Sequence, residues 1–153
     1  MHDLVNEWLQ DGRLWIWQYA DANRSWRGWH FAADPKGSSS MRDLLDRMNA
    51  GEACHRTLHL EFVSDSLTDG IGYDRKYARQ FDKLRLQFSP RATDLSLHPE
   101  ENRLVMTVGK QRLPQLASAF AEVQKGGGDF GIATSERKRS ERWMFWWPPR
   151  DER

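Results

Sequence analysis

Two stretches of this chain carry the same apolar rhythm about 72 positions apart. Met41, Leu44, Leu45 and Met48 are spaced i, i+3, i+4 and i+7, the stripe of an amphipathic helix, and the same shift lands on Leu113, Leu116, Ala117 and Phe120. Further on it carries Leu58 and Leu60 onto Phe130 and Ile132, which alternate as strand residues do. Each helical stripe is preceded by a hairpin pattern and followed, across a polar loop, by one more strand. The order hairpin, helix, strand, strand thus occurs twice, over residues 13–88 and 93–147, and predicts a tandem ββαββ arrangement carried by pattern, since residue identity between the halves is poor.

The individual elements follow from local chemistry. Leu4, Val5, Trp8 and Leu9 form one face of a short terminal helix that Asp11-Gly12 ends. Arg13–Tyr19 and Trp26–Phe31 are rich in aromatic and β-branched residues around a polar turn, which predicts a hairpin. Ser40 with Asp43 approximates a capping box for the first main helix, and Gly51 supplies its stop. Thr57–Val63 alternates as a strand with Leu58, Leu60 and Phe62 on one face, and residues 64–82 read as a long polar connection. Lys83–Phe88 is another strand, and Asp94–Leu97 and Arg103–Val108 form a second hairpin turning at Pro99–Asn102. Pro114 suits the first turn of the second main helix, Gly126–Gly128 ends it, and Trp143–Trp147 is the last strand before Pro148-Pro149. The expectation is a single α+β domain spanning 1–153: a mostly antiparallel sheet of about seven or eight strands with two main helices on one face.

Composition narrows the partners. The 23 Lys+Arg against 22 Asp+Glu leave a net charge of +1, which gives no field-level reason to expect nucleic acid or an anionic membrane. Cys54 is the only cysteine, so neither an internal disulfide nor a cysteine-based zinc site is expected, and a reducing cytoplasm fits best. No apolar run approaches the roughly 20 residues that cross a bilayer. His2, His30, His55, His59 and His98 show no metal-ligand spacing, and no motif implies a cofactor. Gly126–Gly128 lacks the lysine and hydroxyl residue of a phosphate loop, while Asp69–Asp74 is a glycine-bearing polar loop of the kind that carries function.

Tryptophan is the informative residue for function. All eight lie before residue 30 or after residue 142. Alternation puts Leu14 and Ile16 on one side of the first strand and Trp15, Trp17 and Tyr19 on the other, so both faces are apolar. Such a strand is either buried on both faces or presents an aromatic contact strip. On the second reading Trp15, Trp17, Tyr19 and Trp146, with Arg137 and Arg139 of the charged loop, form a binding surface. The leading expectation is therefore a non-enzymatic cytoplasmic protein-binding module, of adaptor or immunity type, that holds another protein or a second copy of itself. Two alternatives belong to other classes. Aromatic rings beside basic residues suit a single-stranded nucleic acid, and His59 with Glu61 on one strand face suits acid–base catalysis in a small enzyme. Cys54-His55 adjacency by itself does not make a nucleophile and base.

Overall fold

The halves of the chain do not form separate sheets; they exchange strands. The computed structural model describes residues 2–20, 26–67, 79–137 and 140–153. The elements in order are α1 (His2–Asn6), β1 (Leu14–Trp17), β2 (His30–Ala33), α2 (Pro35–Asn49), β3 (Cys54–His59), β4 (Lys83–Phe88), β5 (Ser96–Glu100), β6 (Arg103–Val108), α3 (Leu113–Gln124), β7 (Phe130–Ala133), β8 (Arg142–Trp146) and a final 3-10 turn (Arg150–Glu152). The first sheet runs β1-β2-β8-β7 and the second β3-β4-β6-β5. In each, the outer pairs are antiparallel and the central pair, β2 with β8 or β4 with β6, is parallel and joins one strand from each half. Exchanging the two halves maps one strand order onto the other, as a tandem ββαββ pattern requires.

The α+β class, the eight strands and the two main helices agree with the sequence pattern, but the single expected sheet is divided. Strand twist accumulates across a wide sheet, and two four-stranded sheets can both turn their apolar faces to one core. Single backbone bonds mark the corners, from Glu61 N–H to the Leu14 carbonyl (2.9 Å) and from Leu95 N–H to the Thr134 carbonyl (2.8 Å). α2 and α3 pack on each other, and their buried Met41, Leu44, Leu45, Met48, Leu116 and Phe120 meet Leu14, Ile16, Phe31 and Phe145 of the first sheet and Leu84, Leu86, Leu104 and Met106 of the second. Among the described residues no helix is long and apolar enough to cross a membrane.

Three local expectations are corrected. α2 starts at Pro35, with Asp34 as its cap accepting from Gly37 N–H (2.7 Å), so Ser40 lies inside the helix. Ser40 instead anchors the N-terminal segment: its hydroxyl accepts from Asp11 N–H and its carbonyl from the Trp8 indole. β3 ends at His59, because Glu61 crosses to β1; the alternation breaks there, so Phe62 is 59% exposed and Val63 turns inward. α1 ends at Asn6, which leaves Leu9 outside the helix and 82% exposed. The side-chain amide of Gln10 then pairs with both backbone groups of His59, at 2.8 and 2.7 Å, and blunts the open edge of β3.

The helices dock by glycine. A Cβ on Gly37 would collide with the Arg13 carbonyl, and one on Gly109 with the Ala92 carbonyl. In each half, a glycine in the first turn of the helix or just before it lets the backbone ahead of that half's first strand come into contact. Alanine normally favours a helix over glycine by up to about 1 kcal/mol. Here Gly37→Ala is expected to destabilise instead, by about 1–3 kcal/mol, the usual range for overpacking. Urea denaturation checks this, and a midpoint equal to or above the parent would refute the contact.

Candidate functional site

The outer faces of the two sheets have opposite chemistry. On the first, β1 turns Trp15 and Trp17 away from the helices, β2 turns His30 and Ala32, and β8 turns Met144 and Trp146. Tyr19 extends this layer, Trp26 packs on it from the connection between β1 and β2, and Val63 and Leu67 cover it from the segment after β3. The result is a second, smaller core. The Trp17 side chain is 1% exposed and His30 is fully buried.

His30 is the polar centre of this cluster. Its ring stacks near Trp17, Trp26 and Trp146, with centroids 5.6, 5.9 and 6.1 Å away, and meets Tyr19 edge to face at 5.0 Å. Trp26 and Trp146 stack on each other at 5.2 Å and are nearly parallel. The Trp146 indole N–H donates to His30 Nδ1 (3.0 Å) and His30 Nε2 lies 2.8 Å from the Trp26 carbonyl. Because Nδ1 accepts, Nε2 carries the proton and donates to Trp26, so the ring is neutral with both nitrogens satisfied. Burial holds its pKa below the usual histidine value, partly offset by the Trp26 carbonyl.

The structure therefore brings Trp15, Trp17, Tyr19 and Trp146 together, as the sequence suggested, but as core; these four rings form no exposed aromatic strip. Arg137 lies elsewhere, in the loop after β7, where its guanidinium pairs with Asp94 at 3.1 Å. Arg139 and the Asp69–Asp74 loop are outside the described residues. His59, exposed, and Glu61, half-buried, are 3.9 Å apart, a separation too long for a hydrogen bond. Cys54 faces the core while His55, next in the strand, points outward, so adjacency separates them; burial also pushes the Cys54 thiol up. Among the described residues no group of three or more His, Cys, Asp or Glu side chains is placed to hold a metal.

The second sheet's outer face is open and polar. The register places Lys83, Arg85 and Gln87 of β4 beside Arg103, Val105 and Thr107 of β6, with His55, Thr57 and His59 of β3 on one flank and Ser96, His98 and Glu100 of β5 on the other. Three fixed cations and three histidines stand against one carboxylate. Arg85 donates to the Gln87 side chain (2.8 Å), which donates to the Thr107 hydroxyl (3.3 Å), and Arg103 pairs with Glu100 (3.2 Å). Val105 at the centre is only 2% exposed, although it belongs to the outer face. Sequence reasoning reached this face only through His59 and the strand at Lys83–Phe88; the missed signal was the charge that Lys83 and Arg85 put on the polar side of that strand. It missed His30 because a histidine between two aromatic residues shows no motif.

No family model matches the chain, and neither a curated protein nor a solved structure matches it. The burial of the tryptophans sets an expectation. Trp17→Ala should cost about 3–5 kcal/mol, the range for removing a buried aromatic side chain, measured by urea denaturation. A loss below about 1 kcal/mol would mark Trp17 as a surface ring.

Proposed function

We propose that this chain is a non-enzymatic protein-binding module whose contact surface is the outer face of the second sheet and whose partner presents an acidic surface. The observation that supports this reading is the imbalance of Lys83, Arg85 and Arg103, with His55, His59 and His98, against Glu100 alone among the twelve outward positions of that face. The net charge of the chain is only +1, so the excess belongs to this face and not to the whole surface. Complementary charge speeds encounter and selects partners more than it adds raw affinity. Lateral hydrogen bonds from Arg85 through Gln87 to Thr107 restrain these side chains before any partner arrives, which reduces the ordering cost of binding.

A protein partner is favoured over a single-stranded nucleic acid by the make-up of the face. Its twelve positions include no tryptophan, tyrosine or phenylalanine, and stacking on such large rings is the main sequence-tolerant contribution to single-strand binding. The rings that could stack are packed beneath Val63 and Leu67 on the other sheet. A single cysteine is in keeping with a cytoplasmic setting.

Binding of fluorescent poly-glutamate and of a single-stranded oligonucleotide, each at several salt concentrations, tests the reading. The parent is expected to bind poly-glutamate, and the double variant Lys83→Glu, Arg85→Glu to bind it at least about tenfold more weakly, a loss of roughly 1.4 kcal/mol. Unchanged poly-glutamate affinity in that variant would sink the proposal. Preference for the oligonucleotide, with a steep salt slope that depends on Arg137, would transfer it to the nucleic-acid reading.

A further inference from the structure

We infer that His30 and Trp146 form an acid-released latch: with its Nδ1 lone pair engaged by the Trp146 indole, the His30 ring holds the Trp26–Trp146 stack over the outer face of the first sheet, and uptake of one proton frees that stack while the main core stays folded. The inference stands on the aromatic cluster and not on the proposed polar contact face.

A neutral imidazole has one donor and one acceptor, and both are committed here. Nε2–H serves the Trp26 carbonyl, so an incoming proton can go only to Nδ1. There it would confront the Trp146 N–H, leaving two donors face to face at 3.0 Å. The charged ring can keep its bond to Trp26 but must give up the indole. Trp146 is stacked on Trp26, so the two rings have a common reason to move.

The charged groups on the elements packed around the ring are exposed or engaged elsewhere. Arg27, Asp65, Glu141 and Arg142, on the elements packed around the ring, are exposed. Arg142 bonds the Gly131 carbonyl and Arg13, just before β1, is held by Asp34 and Glu152. Glu61 lies beside His59, and the Tyr19 phenol meets the ring by its edge. Burial lowers the pKa of His30, which fixes the sign. Above about pH 6.5, where a released histidine is neutral, the latch has its full strength. Below that the released ring takes up a proton that the latched ring resists, so the latched population ratio falls about tenfold per pH unit down to the depressed value of the buried ring.

The opening is local because the clusters are separate. The aromatic cluster lies on the outer side of the first sheet, whereas both helices and the inner faces of both sheets share the main core. Units of different local stability open independently.

The experiment follows tryptophan emission, acrylamide quenching, near-UV and far-UV circular dichroism from pH 8 to pH 4. On the low side of about pH 6.5, the parent is expected to show a red shift, a severalfold rise in quencher-accessible emission and loss of near-UV signal, with far-UV signal retained. His30→Gln should abolish this transition. Trp146→Phe, which leaves Nδ1 unengaged, should move it to higher pH, and this variant decides the matter if His30→Gln fails to fold. Loss of far-UV signal in the same step, persistence of the transition in His30→Gln, or an unmoved midpoint in Trp146→Phe would each overturn the latch.

Discussion

The central pair of each sheet is parallel and joins strands from opposite halves of the chain, β2 to β8 and β4 to β6. Parallel strands cannot be linked by a tight turn; they need a long crossover or, as here, two separate stretches of chain. Everything else in the fold depends on that exchange. It commits each half to both sheets, so neither sheet can be completed until both halves are in place. It also places α2 and α3 side by side over one core, with Phe31 stacked on Phe145 at 4.9 Å across the parallel join of the first sheet. A chain built this way gains its stability from long-range contacts and is expected to fold more slowly than a helical bundle of its size.

The two sheets share a topology yet differ in what lies outside them, and connection length supplies the reason. β5 and β6 are joined by the tight turn at Glu101 and Asn102, whereas β1 and β2 are separated by residues 18–29 and β3 and β4 by residues 60–82. Those two longer connections supply Trp26, Val63 and Leu67, which close over the outer face of the first sheet and make Trp15, Trp17 and Trp146 burial-competent. Among the described residues the second sheet has no such cover on its outer face, and it carries side chains that water tolerates. An apolar strip of tryptophans left open would be an association hazard; a polar one is a selective surface.

Polar groups are handled differently in the two settings. Inside the aromatic layer, His30 has a partner on each nitrogen, which is what a buried polar ring requires to be tolerated. On the open face Arg85 is restrained by the neutral Gln87 side chain, itself bonded to Thr107, so its charge is left for an external ligand. Exposed ion pairs such as Arg103 with Glu100 contribute little to stability in any case, because solvent screens them.

Much of the fold was legible in the sequence. Period-two alternation identified nearly every strand, the i, i+3, i+4, i+7 stripe identified both main helices, and the 72-residue offset identified the doubled order of elements, because these follow from which side of an element must avoid water. The same alternation separated Leu14 and Ile16 from Trp15 and Trp17. What it did not contain was the fate of the second apolar face. A strand with two apolar sides reads alike whether its second side meets a partner or its own chain, and only the placement of Trp26, Val63 and Leu67 decided that Trp15, Trp17, Tyr19 and Trp146 are core. The division into two sheets, the docking of Gly37 and Gly109 on backbone carbonyls, and the tautomer of His30 were likewise decided in three dimensions. Each depends on groups far apart in the chain, and local pattern carries no information about which distant backbone or ring will arrive beside it.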